Sequence, residues 1–256
     1  MANGDLVDRV TARRLGGAGR AFLLSWGLLV RHAFQFAAGL AATFCCTSAL
    51  AASPWYISGS VGGYFREGDT QSGNYYKILD PSITTTATNS FSFDPGVILN
   101  AAVGYKLSSR FRVEAEIGYT NFTADNLRPF SENPNFPGLK GQIYSRENGF
   151  DFSRFSGTVN AFYDFAPIAS RFTPYVGVGI GGTANHKSAG AFANADGNTF
   201  RFSSASGSDA SGLLEGGVNI ALSRHWSIAP AYRYVHFFNS IEDRAHVAKL
   251  GVRYSF

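Results

Sequence analysis

Beyond its first fifty or so residues the chain has no cysteine, since its two thiols are the adjacent pair Cys45 and Cys46. The body therefore forms no disulfide and no thiolate metal site. Nor does any run of about 20 apolar residues occur after residue 50, which excludes a membrane protein built of helices for that part of the chain. Charge is sparse, at 16%, and His186, His225 and His246 are scattered without metal-ligand spacing. The formal net charge of +4 misleads. Arg9, Arg13, Arg14, Arg20 and Arg31 all lie in the first segment, against Asp5 and Asp8, so the remainder is nearly neutral. Nothing here points to nucleic acid, and no cofactor is expected. What the chain holds in quantity is aromatic residues, at 15%, and 29 glycines, more than an average enzyme carries.

Residues 1–51 have the three parts of a secretory signal peptide: basic residues, an apolar run at 33–44, and the small-x-small sequence Ala49-Leu50-Ala51. Cleavage there leaves 52–256 as one mature domain. Phe44 before Cys45 argues against a lipoprotein signal, and Leu15-Gly16-Gly17 does not continue Arg13-Arg14 as a twin-arginine signal. A second apolar run at 21–30 makes the leader long. A start at Val30 would leave Arg31 and His32 as the charged end of a compact signal.

The mature part alternates with period two, the mark of strands with one apolar face. The clearest case sets Phe111, Val113, Ala115, Ile117 and Tyr119 against Arg112, Glu114, Glu116, Gly118 and Thr120. Eight such strands are predicted, at 55–65, 97–106, 111–120, 154–165, 172–182, 212–222, 226–234 and 247–256. In the fifth, Gly177, Gly179 and Gly181 share a face with Tyr175 and leave room across a narrow interior. The connections run long (66–90), short (107–110), long (121–149), short (166–171), long (185–211), short (222–225) and medium (238–245). Pro129, Pro134 and Pro137 are expected to keep buried strand out of 121–149. Aromatics mark one end of the strands: Trp55, Tyr105, Phe111, Phe165, Phe172, Trp226 and Tyr254.

This rhythm belongs to membrane barrels, which have short periplasmic turns, longer outer loops and aromatic girdles. The strand order, the 172–182 run, Tyr232-Arg233-Tyr234 and the last strand resemble the small outer-membrane barrels of the OmpA transmembrane domain, OmpX and opacity-protein kind. In that last strand Ala248, Leu250, Val252, Tyr254 and Phe256 share one face. The expected fold is all-β, an eight-stranded antiparallel up-and-down transmembrane β-barrel in the outer membrane. The resemblance implies that Leu250, Val252, Tyr254 and Phe256 are read by the barrel-assembly machinery. It also implies outer-membrane lipid as surroundings, host or extracellular ligands at the loops, and a monomer.

Eight strands enclose an interior filled by side chains. Lys106, Arg112, Glu114, Glu116, Arg154, Asp164, Glu215, Arg233, Lys249 and Arg253 are assigned to that lumen, where opposite charges should pair. Glu215, Arg233 and Lys249 are expected at one level, with Arg253 lower and facing Glu114 or Glu116. A wide porin is thereby disfavoured, a narrow channel is the alternative, and an envelope lipid-modifying enzyme ranks third. An acid–base role for Glu114 and Glu116 yields to the structural one. Around His236 the setting of lipid A deacylases is incomplete, because Phe238 occupies the nucleophile's place, Ser240 is offset and Glu242 comes too soon. The reading is therefore a non-enzymatic surface barrel.

Two measurements test these assignments. N-terminal sequencing of the membrane fraction should begin at Ala52, and retention of 21–50 would overturn the leader. Protease added to intact cells should cut within 66–90, 121–149 or 185–211 and spare the three short turns.

Overall fold

The computed structural model describes residues 53–67, 69–77, 80–129, 141–197, 199–238 and 243–256; the leader lies outside them. Thirteen strands are described: β1 (Trp55–Arg66), β2 (Asp69–Lys77), β3 (Asp80–Phe93), β4 (Gly96–Lys106), β5 (Phe111–Pro129), β6 (Tyr144–Gly149), β7 (Asp151–Asp164), β8 (Phe172–Lys187), β9 (Gly190–Ala193), β10 (Thr199–Phe202), β11 (Ala205–Ala221), β12 (Trp226–Phe238) and β13 (Arg244–Ser255). Eight of them close on themselves, all antiparallel, in the circular order β1-β4-β5-β7-β8-β11-β12-β13. These are the eight strands predicted from the alternation.

The register fixes the tilt. From Tyr56, the paired residues are Gly104, Glu114, Asn160, Gly179, Leu213, Val235 and Ala245, and the next partner on β1 is Arg66. One circuit thus climbs the ten residues from Tyr56 to Arg66. Such a stagger makes the strands of a closed barrel lean steeply to its axis. Every residue on this path faces inward, so the lumen is lined along a rising spiral.

Outward positions carry the apolar face. Val252 at 44%, Val61 at 51%, Val178 at 56% and Ile180 at 72% are among the exposed large side chains that circle the barrel. A water-soluble protein does not expose a belt of this extent, and lipid is the solvent that suits it. At the short-turn end Trp55 packs on Tyr105 at 4.9 Å, Phe111 on Tyr163 at 5.1 Å, Tyr163 on Phe165 at 5.1 Å and Trp226 on Tyr254 at 4.9 Å. That is the girdle expected at a membrane interface.

The long connections differ from expectation. They hold strands: β2 and most of β3 lie in 66–90, β6 in 121–149, and β9 and β10 in 185–211. β5 itself continues to Pro129, pairing with β3 on one side and β6 on the other. Proline was expected to exclude buried strand there, yet Leu127 is buried. The reason is position: Pro129 is the last residue of β5, where a missing N–H interrupts no further ladder bond. The five outer strands and the extension of β5 lie in the order β2-β3-β5-β6-β9-β10.

Close approach of aromatic rings inside the barrel demands glycine at Gly104 and Gly177, among other positions. A Cβ on Gly104 would lie 2.0 Å from the Tyr56 ring, and one on Gly177 2.2 Å from Phe162. Gly104→Val is therefore expected to destabilise the refolded barrel by about 1–3 kcal/mol through overpacking. Gly157→Ala, whose Cβ would meet nothing within 4 Å, is expected to be near neutral. Urea unfolding followed by heat-modifiable gel migration would check both.

Candidate functional site

Inward side chains form layers along the barrel. Nearest the short turns, Arg112 lies over the rings of Phe162, at 3.8 Å, and Tyr175, at 4.8 Å. It pairs with Glu114, stands 3.2 Å from Asp164 and donates to the Tyr56 hydroxyl at 3.2 Å. Tyr56 in turn donates to Glu114 Oε1 at 2.7 Å. Arg253 covers the Tyr56 ring, approaches Glu114 to 3.7 Å and donates to Asn219 Oδ1 at 3.3 Å.

The next layer centres on Arg233. Its guanidinium grips Glu116 with two bonds, Nη1 to Oε1 at 2.6 Å and Nη2 to Oε2 at 2.9 Å, while Nε donates to Glu215 Oε2 at 2.7 Å. Lys249 Nζ lies 2.8 Å from Glu215 and 3.8 Å from Glu116. The Tyr175 hydroxyl donates to the other Glu215 oxygen at 3.0 Å. All of these charged groups are buried or nearly so, with Arg233 3% exposed. Unpaired, each would carry a desolvation penalty of several kcal/mol; doubly paired and hydrogen-bonded, most of it is offset. The gap beside them, lined by Ser58, Ser60, Asn100 and Lys249, has room for a water or two.

Above the charges lies an apolar layer of Tyr64, Ile98, Phe122, Leu213, Val235, Phe237, Ala245 and Val247. At its outer edge Arg154 pairs with Asp243 and donates to the Tyr64 hydroxyl at 2.7 Å, and Arg66 Nε donates to Asp243 at 2.8 Å. Their guanidiniums cover Phe237 at 4.2 Å and Phe93 at 4.0 Å. Beyond this lies a second aromatic core in the outer strands: Phe91, Leu127, Tyr144, Phe150 and Phe192, with Phe200 and Phe202 packed against it. Lys187 sits over Phe150 at 4.8 Å there, and burial pulls its ammonium below the ordinary lysine range.

A closed eight-stranded barrel with an apolar belt and a charged, filled lumen invites comparison with known membrane barrels. The family model for the outer membrane protein beta-barrel domain matches residues 37–256. The chain belongs to that family. It is a small outer-membrane β-barrel, with membrane lipid as its surroundings. Among solved structures it is similar to Neisserial surface protein A, at 16% identity over 81% of this chain and 100% of that one, with a TM-score of 0.41. Ail, the attachment invasion locus protein of Yersinia pestis, is 17% identical over 78% and 98%, with a TM-score of 0.38. OprG from Pseudomonas aeruginosa is 12% identical over 80% and 98%, with a TM-score of 0.48. No curated protein sequence matches the chain.

In this family member, Arg112, Glu114, Glu116, Asp164, Glu215, Arg233, Lys249 and Arg253 share the two lower networks, and Arg154 joins the upper one. Lys106 stands at the rim, where it donates to Ser255 Oγ at 3.3 Å. Register sets Glu215 opposite Arg233 on the neighbouring strand. Leu250 and Val252 point outward, Tyr254 is in the girdle, and Phe256 follows β13 directly. Ser240 and Glu242 lie outside the described residues. The outward face carries one arrangement that the alternation did not single out: His246 stands between the Tyr232 hydroxyl and Glu67, 2.8 Å away, and ties β12, β13 and the end of β1 together.

Sequence reasoning missed Arg66 and Asp243 because it ended the first strand at 65 and began the last at 247. The signal was available in the parity: Arg66 continues the inward series of Tyr56 and Tyr64, and Asp243 that of Lys249 and Val247.

Glu116 and Glu215 sharing one guanidinium has a measurable consequence. Arg233→Ala leaves two carboxylates with Lys249 as their nearest cation and is expected to destabilise the barrel by about 3–5 kcal/mol. Glu215→Ala should cost less, because Arg233 keeps its bidentate hold on Glu116. Glu147→Ala, on an exposed outer strand, should be nearly silent. Unfolding midpoints in lipid vesicles would rank the three.

Proposed function

We propose that the chain is a non-enzymatic, monomeric outer-membrane barrel whose closed lumen anchors a surface-contact sheet, in the manner of opacity proteins and adhesins. The observation that carries this reading is the continuity of the two aromatic cores: Phe93 and Phe152 pack against both the lumen's apolar layer and the outer-strand cluster. Phe122 stacks on Phe152 at 5.0 Å and on Tyr64 at 5.2 Å, and Phe93 meets Phe152 at 5.7 Å. An outer sheet fused in this way to the barrel is held rigid enough to present a fixed surface. A lumen sealed at the same place carries no steady ion current. The carboxylates of the lumen are each engaged by cations, which leaves them poor general bases. On this reading the outward face of the last strand, with Leu250, Val252, Tyr254 and Phe256, serves as the assembly signal. A host or other extracellular ligand is met by the outer strands.

Single-channel recording on refolded protein tests the reading. The wild type is expected to give a silent bilayer, whereas Phe122→Ala combined with Phe237→Ala thins the apolar layer and should produce brief openings. Steady conductance from the wild type would replace the anchor with the narrow-channel reading. For the contact role, cells displaying the wild-type barrel should adhere to host surfaces more than cells displaying a barrel with 190–202 shortened. Equal adhesion would remove the outer sheet as the contact surface.

A further inference from the structure

The three short turns repeat one amphiphilic unit. In each, an aliphatic residue stands four positions before the aromatic that opens the next strand, and its N–H donates to that aromatic's carbonyl. Leu107 does so to Phe111 at 2.9 Å, Ile168 to Phe172 at 2.7 Å and Leu222 to Trp226 at 2.9 Å. Two of the turns match further. Ser108 Oγ accepts the N–H groups of Arg110 and Phe111 at 3.2 and 3.0 Å, and Ser223 Oγ those of His225 and Trp226 at 3.3 and 3.1 Å. These bonds stay within each turn, while the aliphatic and arginine side chains are left exposed.

What they present is the same each time. Leu107, Ile168 and Leu222 are 61%, 62% and 61% exposed, and each turn adds an exposed arginine, Arg110, Arg171 or Arg224. No turn contains an acidic residue. The described outer strands mix signs instead: Arg128 lies near Asp125 in sequence, Arg146 next to Glu147. Arg110 donates to the Tyr163 hydroxyl at 3.3 Å, so its guanidinium is held beside a girdle residue, at the depth of lipid headgroups.

We propose that the three turns form a docking rim for the phosphates of anionic phospholipids in the periplasmic leaflet. A guanidinium binds a phosphate with two parallel hydrogen bonds, and cations at a membrane surface gather anionic lipid. The exposed aliphatic side chains decide between lipid and a soluble polyanion, because a polysaccharide or acidic peptide would leave them in water while acyl chains cover them. This inference rests on the membrane orientation of the fold, with short turns toward the periplasm. It is independent of the surface-contact proposal.

The full chain, refolded into phosphatidylcholine vesicles, would be given trace spin-labelled phosphatidylglycerol or spin-labelled phosphatidylcholine. Electron paramagnetic resonance reads the fraction of each label immobilised at the protein. The wild type is expected to hold phosphatidylglycerol severalfold more strongly, and the Arg110→Gln, Arg171→Gln, Arg224→Gln triple variant to hold both equally. Arg128→Gln, Arg146→Gln and Arg201→Gln together should leave the wild-type preference intact. Equal holding of both labels by the wild type, or an unchanged preference in the turn variant, would sink the proposal. So would loss of preference in the outer variant alone. Should the turn variant fail to refold, salt decides on the wild type: a preference that survives about 1 M salt is not an ionic one and overturns the assignment. Binding of soluble polyglutamate to the turns, with no lipid preference, would assign the rim to an aqueous partner instead.

Discussion

Backbone hydrogen bonding in a medium without water is the constraint from which the rest follows. A sheet in lipid cannot leave an edge unpaired, because each unsatisfied N–H or C=O costs several kcal/mol. The eight strands therefore close, and the closure joins β1 to β13, the first and last elements of the described barrel. Closing with the stagger that carries the register from Tyr56 to Arg66 fixes how steeply the strands lean and how narrow the interior is. Every inward position must then share that interior with residues distant in sequence, which is why Arg233 meets Glu116 and Arg154 meets Asp243.

The lumen resolves the crowding by alternating chemistry along its axis. Charges sit in compact pairs where lipid surrounds the barrel, since an arginine turned outward at mid-membrane would cost about 2–4 kcal/mol. Aromatic and aliphatic side chains fill the level above, and glycines such as Gly104 and Gly177 make space for the Tyr56 and Phe162 rings. The two kinds of layer support each other: guanidiniums lie over aromatic rings at Phe162, Phe93 and Phe237, so the cations are packed as well as paired.

Outside the membrane the same strands continue under different rules. Water is available there, short strands and register shifts are tolerated, and stability comes from a small aromatic core. β5 runs from girdle to outer sheet without a break, pairing with β3 and β6 beyond the barrel. The outer sheet is thus an extension of the barrel wall, packed on the lumen's apolar layer through Phe93 and Phe152.

Sequence alone determined the number of barrel strands, the lipid-facing and inward faces and the girdle. Each is a local consequence of period two, as in Phe111–Thr120, where one glance separates Val113 and Ile117 from Glu114 and Glu116. Adjacent-strand register was also within reach, as for Glu215 beside Arg233, because a short turn ties two counts together. Only the tertiary structure decided which carboxylate an arginine crosses the lumen to meet, since that depends on the stagger summed over all eight strands. It also decided that Arg66 and Asp243 belong to the interior and that β5 survives to Pro129. Polar and proline-containing segments lose their periodic signal outside the membrane, where no lipid enforces alternation, and partners far along the chain supply the order instead.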